Sequence, residues 1–272
     1  YASLVHPSVW GTYLIVSTRR VRCILIAMWR DVIDIRDFYA TPLGRTARRV
    51  IRQRLRRQWS DVTGQAVLGL GYPTPYLGTF RNEAAHTIAA MPAQQGVLHW
   101  PHEDPGLTTL VDELELPFDD LSFDRVLLIH ALEYAEQVRP LFREIWRVLA
   151  GSGRLIVIAP NRRGLWARFE RTPFGHGLPY SARQLSLTLR DNLFTPLDID
   201  RALFAPPMPS AMIRSISAPL EQVGNRAFNT FGGVIISESV KQIYAGPPVK
   251  EASRIPGYLP LPDRHVRPIS PT

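Results

Sequence analysis

The chain has 272 residues, of which 45% are hydrophobic and 21% are charged, which is enough for one sizeable globular domain. Its one cysteine, Cys23, excludes a disulfide framework and a cysteine-based zinc site, and the cytoplasm is taken as the default compartment. The net charge of +8 is concentrated in residues 1–60, which hold twelve arginines and three aspartates. A basic arm of this kind can contact nucleic acid, anionic lipid or an acidic partner.

The first segment, residues 1–27, is expected to be a non-native or disordered extension. The chain begins with Tyr1, and Met28 is its first methionine and opens the first segment with an ordinary globular sequence. No stretch reaches the roughly 18 apolar residues of a spanning helix, because the run at 21–29 is short and contains Arg22. A signal peptide is also disfavoured, since no small-residue cleavage site follows that run.

Residues 28–60 are predicted to form a basic helical segment with an amphipathic helix at 45–59. Apolar side chains at helical spacing form one face, and arginines form the other. The apolar face carries Ala47, Val50, Ile51, Leu55 and Trp59, and the basic face carries Arg45, Arg48, Arg49, Arg52 and Arg56. A solvated basic face on a helix that docks against the domain is favoured. The alternative is that these arginines, together with Arg57, contact nucleic acid or lipid.

From residue 61 to residue 245 short apolar strands alternate with helical segments. Strands are predicted at 65–70, 86–90, 107–111, 123–130, 154–159, 198–204 and 233–244. Helices are predicted from Pro75 to about residue 82, with Thr74 as N-cap, and at 137–149, 181–191 and 211–223. A turn is predicted at 151–153. The alternation favours an α/β fold, a parallel sheet with helices on both faces.

The end of the chain differs in composition from the part before it. Residues 246–272 hold seven prolines in 27 positions. Such a segment cannot build a packed core, and it is predicted to be an extended or disordered tail.

Two segments in the middle of the chain carry a family resemblance. Residues 112–124 read DELELPFDDLSFD, in which Asp112 stands four positions before Leu-Pro-Phe and Ser-Phe-Asp opens the fourth strand. Residues 142–155 read FREIWRVLAGSGRL, a Glu-x-x-Arg-Val-Leu helix followed by glycines and the fifth strand. Together they resemble class I S-adenosylmethionine-dependent methyltransferases of the type 11 group. The resemblance implies a Rossmann-like, doubly wound sheet of seven strands, mostly parallel with an antiparallel last strand, and S-adenosylmethionine as cofactor.

A third segment, VLGLGYPTP at 67–75, resembles the family's glycine loop only in part. Gly69 stands where the family has an acid, Gly71 matches the first glycine, and Pro73 and Pro75 replace the next two. Glycine lets the backbone approach the cofactor closely, whereas Pro73 adds a ring and removes a donor inside the loop. The resemblance therefore implies that Gly69 and Gly71 contact the cofactor.

The resemblance also implies the remaining cofactor contacts. Asp112 would accept a hydrogen bond from the adenine amino group, with the backbone of Glu113 and Leu114 beside it, and His130 would lie at the methionine end. The carboxylate that binds the ribose in the family is missing, since residues 90–92 are Ala-Met-Pro. The alternatives are a turn or cap role for Asp112 and a side chain bonded to backbone for His130.

Methyl transfer depends chiefly on orientation, and an oxygen or nitrogen acceptor can also need a general base. The candidate bases are His130, Glu133 and Tyr134, which follow the fourth strand, and His176 in the loop at 171–180. That loop is rich in glycine and proline and is either a shaped lid over the pocket or a plain connection. Four nearby arginines would either bind an anionic acceptor or form a solvated face: Arg162, Arg163, Arg168 and Arg171.

Three functions remain open at this point. The favoured one is a methyltransferase that acts on a small molecule. The second is a methyltransferase that acts on RNA or protein and uses the basic N-terminal helix for docking. The third is a degenerate methyltransferase fold that serves as a binding or regulatory partner, which the altered glycine loop and the missing ribose carboxylate suggest.

Overall fold

The computed structural model describes residues 31–208, 221, 224 and 229–243. The predicted extension at 1–27 and tail at 246–272 lie outside these residues. So does most of the helix predicted at 211–223, of which only residue 221 is described, in a helical conformation.

Seven strands of the described chain form one sheet. They are β1 (Ala66–Gly71), β2 (His86–Pro92), β3 (Thr108–Val111), β4 (Phe123–Ile129), β5 (Leu149–Pro160), β6 (Phe194–Ala202) and β7 (Val234–Lys241). The strand order is β3-β2-β1-β4-β5-β7-β6. Only β7 runs antiparallel to its neighbours β5 and β6. The predicted seven-stranded α/β fold with an antiparallel last strand is confirmed.

Helices cover both faces of this sheet. They are α1 (Val32–Ala40), α2 (Pro42–Gln58), α3 (Thr74–Leu77), α4 (Val138–Val148) and α5 (Ala182–Asp191), with short 3-10 turns at Trp166–Arg168, Pro173–Gly175 and Asn229–Phe231. Within the described chain, none of these helices is both long enough and apolar enough to span a membrane.

The buried strands supply two separate cores because successive side chains point to opposite faces of the sheet. On one face, Val67 and its neighbours pack with α1 and α2, for example with Ile51. On the other face, Leu68 and its neighbours pack with α4 and α5, for example with Ile145 and Leu185. The nearly continuous apolar runs of β4 and β5 follow from burial on both faces.

The amphipathic helix predicted at 45–59 is confirmed and begins three residues earlier, at Pro42. The Thr41 side chain accepts a hydrogen bond from Gly44 N at 3.0 Å, and the proline occupies the first helical position, where its missing N–H costs nothing. Ala47 and Leu55 on the predicted apolar face are fully buried. The hydrophobic periodicity was therefore sufficient to place this helix.

The helix predicted from Pro75 to about residue 82 is wrong in length and in its cap. The observed α3 is a single turn that ends at Leu77, with Gly78 as its C-cap, and its N-cap is Pro73, which offers no side-chain hydrogen bond. Pro73 already has helical dihedral angles, so the chain enters the turn one residue before the predicted cap, Thr74. Gly78 and Thr79 are poor helix formers, and the helix stops before them.

The turn predicted at 151–153 is also wrong, because these residues belong to β5. Phe123 of β4 pairs with Leu149, whereas Arg125 pairs with Arg154, so extra residues of β5 stand opposite a short piece of β4. Glycines in strands often mark such irregular pairing, and here Gly151 and Gly153 lie inside it.

Candidate functional site

The loop after β1 lies directly against the end of β4. Gly71 has φ +98°, and the next amide, Tyr72 N, donates a hydrogen bond to Ile129 O at 3.0 Å. A Cβ added to Gly71 would overlap with that same carbonyl oxygen and would reach the Ala131 side chain at 3.0 Å. Only glycine fits both the conformation and the space at this position.

Gly69 has a different reason for lacking a side chain. A Cβ at Gly69 would overlap with the ring of Pro73, which folds back over the strand. The glycine in place of the family's acid and the proline in place of its second glycine are therefore sterically coupled. The Pro73 ring occupies the space that a side chain at position 69 would need.

A buried group of rings, here called the tyrosine–histidine cluster, lies at the carboxyl ends of β1 and β4. Its members are Tyr39 of α1, Tyr72, Tyr76, His130 and Phe174. The Tyr39 hydroxyl lies 2.7 Å from the Tyr76 hydroxyl and 2.8 Å from His130 Nε2, and the Tyr39 ring stacks on Tyr72. Burial raises the pKa of Tyr39 and of Tyr76, so both hydroxyls stay protonated near neutral pH.

His130 has a strained backbone and a fully buried side chain. Its φ is +53°, an uncommon value that the surrounding structure must hold in place. One ring nitrogen faces the Tyr39 hydroxyl, and the other, Nδ1, lies 3.3 Å from Glu133 Oε1. The ring therefore contacts side chains rather than backbone, while the His130 carbonyl accepts a hydrogen bond from Gln95 Nε2 at 3.2 Å.

Three buried oxygens lie just after the carboxyl ends of β2, β3 and β4, at the same edge of the sheet as the cluster. None of the three has a hydrogen-bond donor in the described part of the chain. They are Gln95 Oε1 after β2, Glu113 Oε2 after β3 and Glu133 Oε2 after β4, here called the three unpaired acceptors. Their residues are 2%, 5% and 2% exposed. A buried acceptor without a partner costs about 1–3 kcal/mol, so such a group needs an explanation. A ligand that brings hydrogen-bond donors and positive charge would supply it.

Asp112 has the turn role that was weighed as the alternative to adenine binding. It is exposed, and its Oδ1 accepts a hydrogen bond from Leu114 N at 2.9 Å. The Leu114 amide is thus already used. The inward-pointing acid of this segment is its neighbour Glu113, whose pKa is raised mainly by burial and further by the charges of Asp112 and Glu136. The adenine contact of Asp112 stays a prediction.

The other candidate bases point elsewhere. The Tyr134 hydroxyl donates to Pro173 O at 3.2 Å, and the His176 ring hydrogen-bonds Glu170 O. The structure brings His130 and Glu133 together, whereas Tyr134 and His176 bond to backbone carbonyls of the loop at 171–180 and the residue before it. None of these contacts tests which of the four residues acts as a base.

The loop at 171–180 packs over His130 and Glu133. The ring of Phe174 lies 4.9 Å from the His130 ring, centre to centre, and Leu178 N donates to Glu133 O at 2.7 Å. This loop therefore covers the cluster from the side of β5, in agreement with a lid-like position.

The basic face of α2 is partly used within the molecule. Arg52 Nε donates to Pro75 O at 2.6 Å, and Arg56 pairs with Glu83. These contacts assign two of the five arginines of the predicted basic face to internal docking, whereas Arg45 and Arg49 are exposed. The prediction of a nucleic-acid contact through the stretch from Arg45 to Arg57 is not tested by them.

The sequence reasoning missed Tyr39, Gln95, Tyr72 and Tyr76. The last two lie inside or beside the altered glycine loop, and aromatic residues there could have drawn attention. Tyr39 and Gln95 carry no local signal, because only the tertiary structure brings α1 and the segment after β2 together, through a hydrogen bond from Val32 N to Gln95 O at 2.9 Å.

Replacing Glu113 by glutamine is expected to stabilise the protein at pH 7 by about 1 kcal/mol. The folded-state pKa of Glu113 is raised, so its unfavourable contribution is absent below the ordinary pKa and grows as the pH rises through it. The gain should therefore vanish near pH 4. Urea unfolding at both pH values measures it, with Glu115→Gln as an exposed control. A gain of equal size at both pH values would contradict the burial argument.

Comparison with known proteins adds to this geometry. Residues 68–157 match the family described as a methyltransferase domain. A demethylmenaquinone methyltransferase of Roseiflexus castenholzii is 32% identical over 109 residues, 38% of this chain and 43% of that protein. The uncharacterized protein MJ0638 of Methanocaldococcus jannaschii is 44% identical over 52 residues, 19% of this chain and 23% of that protein. The matches thus span less than half the length of both relatives.

Among solved structures, an S-adenosylmethionine-dependent methyltransferase of Thermotoga maritima superposes with a TM-score of 0.56 at 14% identity. The superposition covers 80% of this chain and 99% of the other. At this identity the likeness concerns the fold. The predicted resemblance to class I S-adenosylmethionine-dependent methyltransferases is confirmed.

Proposed function

We propose that this chain binds S-adenosylmethionine at the carboxyl ends of β1 to β4 and transfers its methyl group to a small molecule. The observation that carries the proposal is the set of three unpaired acceptors, one after each of three strands of that edge. S-adenosylmethionine offers an ammonium group, two ribose hydroxyls and an adenine amino group as donors, together with a positive sulfonium. The residues present therefore fit the chemistry of this ligand.

Each part of the edge would have a separate role in binding. Gln95 would take the place of the missing ribose carboxylate with a neutral oxygen, and Glu113 and Glu133 would favour a cation by charge. The turn at Gly71 sets how closely the backbone approaches the ligand. When bound, the cofactor supplies a methyl group on a positively charged sulfur.

The side chains beside that position would assist transfer. The covering loop, through Phe174, would keep water from the reacting groups. A proton released by an oxygen or nitrogen acceptor would pass to the Tyr39 hydroxyl, which would give its own proton to His130 Nε2, while Nδ1 of the same ring faces Glu133. The two contacts fix the ring orientation before the acceptor arrives.

The small-molecule acceptor has two supports. One relative is by its name a methyltransferase of demethylmenaquinone, which is a small molecule. In addition, Arg52 and Arg56 of the predicted basic face have partners within the chain, which lessens the case for a nucleic-acid docking surface on α2.

A second candidate is a degenerate methyltransferase fold that binds a partner without catalysis. The loop filled by Pro73 above Gly69 favours it, because the ring takes space and removes a donor where the family has glycine.

Calorimetric titration with S-adenosylmethionine and S-adenosylhomocysteine separates the two candidates. Saturable binding of both ligands in the micromolar range is expected for the methyltransferase. No heat at millimolar ligand would overturn it and favour the degenerate fold.

Replacing Glu133 by glutamine is expected to weaken S-adenosylmethionine about tenfold more than S-adenosylhomocysteine. Only the first ligand carries the sulfonium charge, while the amide preserves the shape and one oxygen acceptor of the side chain. Glu103→Gln, the same change at another exposed glutamate, is the control and should leave both affinities unchanged. Equal losses for both ligands would mean that Glu133 serves the structure and not the cation.

A further inference from the structure

A cavity of about 620 Å³ lies between the start of α2, the segment at 168–172 and the residues that follow β6. This volume is in the range of pockets that bind small organic molecules. The residues of the cofactor proposal do not line it. It is therefore a separate compartment of the described chain.

The walls of the cavity combine an apolar surface with positive charge. The apolar side chains include Phe38, Leu43 and Met208, and the charged ones are Arg168, Glu170 and Arg171. The two arginines are exposed, and neither guanidinium has a carboxylate partner among residues the structure describes. Two cations against one acid leave this surface positive.

Aromatic rings connect the cavity with the candidate site. Phe38 lines the cavity, and its ring lies 6.5 Å from that of Phe174 and 5.2 Å from that of Tyr39. Phe174 and Tyr39 in turn contact His130. One layer of rings therefore lies between the cavity and the histidine, which places the cavity beside the site proposed for methyl transfer.

We infer that this cavity binds the methyl acceptor, and that the acceptor is an apolar molecule with one anionic group held by Arg168 and Arg171. The acceptor role rests on the proposed function, whereas binding of such an anion does not. A planar guanidinium pairs well with a carboxylate or a phosphate, and both groups suit the two arginines. The apolar wall takes the body of the molecule and removes it from water.

Binding of simple probes tests the inference on the full chain. Decyl phosphate and decanoate supply the two anions and are used below their critical micelle concentrations. Decanol is their uncharged counterpart and is used below its solubility limit. Calorimetry is expected to show at least tenfold tighter binding of one anion than of decanol. Arg168→Gln/Arg171→Gln should remove that preference and leave decanol binding intact. Arg163→Gln/Arg183→Gln removes two exposed charges outside the cavity and should change neither.

Each outcome bears on a distinct statement. Anions bound no better than decanol, or equally well by both double variants, would overturn the role of Arg168 and Arg171. Loss of all probe binding in a Leu43→Trp variant, with unchanged unfolding, would support the cavity as the site. Retained binding there would overturn it. S-adenosylhomocysteine titrated alongside is expected to bind every variant equally. If S-adenosylhomocysteine does not bind while the anionic probes still bind, the result would count against the proposed function alone.

Discussion

Replacing Gly71 by alanine is expected to lower the free energy of unfolding by about 3–5 kcal/mol and to abolish cofactor binding. The residue has φ +98°, which costs a side-chain-bearing residue strain, and the new Cβ would overlap with Ile129 O. The end of β4 would have to move away from the loop. Because the three unpaired acceptors lie at this edge, a small displacement there would disturb all of them.

Gly64→Ala is the matched control for this change. Gly64 has φ +71°, yet nothing lies within 4 Å of an added Cβ. It should therefore lose only the strain of a left-handed conformation, about 1 kcal/mol. Urea unfolding of both variants measures the difference, and titration with S-adenosylhomocysteine measures binding. Equal losses in the two variants would show that conformation alone, and not the close approach to β4, requires glycine at position 71.

Replacing Arg54 by methionine is expected to lower the free energy of unfolding by about 3–5 kcal/mol. Arg54 is 7% exposed, and its guanidinium lies 3.1 Å from Asp200 and 4.0 Å from Glu221. The substitution keeps the apolar stem and leaves two acids without their cation. Arg56→Met is the control, since its partner Glu83 is partly solvated, and it should cost no more than about 1 kcal/mol.

The pH dependence of the Arg54 variant gives a second check. Burial raises the pKa of Glu221, and Arg54 lowers it, so the variant should raise it further. When the pKa of an acid is raised in the folded state, the protein loses stability as the pH rises through the ordinary pKa of that acid. The damage should thus be larger at pH 7 than at pH 5. A loss that does not depend on pH would contradict this account, and so would equal losses in the Arg54 and Arg56 variants.

Much of the sheet could be predicted from local pattern. The apolar runs of β4 and β5 mark strands that are buried on both faces, and the prediction of an antiparallel β7 followed from the family resemblance. The α2 helix was found from its periodicity alone. In these places one face or both faces of an element are buried, so the pattern of apolar residues records the burial directly.

The wrong predictions concern segments rich in glycine and proline, whose side chains give no apolar pattern. Gly151 and Gly153 resemble a turn in sequence, but they lie inside β5, at the irregular step where its pairing with β4 passes from Leu149 to Arg154. The proline-containing α3 stops after one turn. Glycine and proline mark irregular backbone without stating which irregularity forms, and neighbouring strands decide it.

The sequence by itself determined the fold class, the family resemblance and the position of the candidate edge through Asp112 and His130. Only the tertiary structure decided that Asp112 closes its own turn, that Glu113 points inward and that Tyr39 reaches His130. The reason is physical. Periodicity and short motifs report contacts between residues close in the chain, whereas an unpaired acceptor is defined by what distant segments fail to supply.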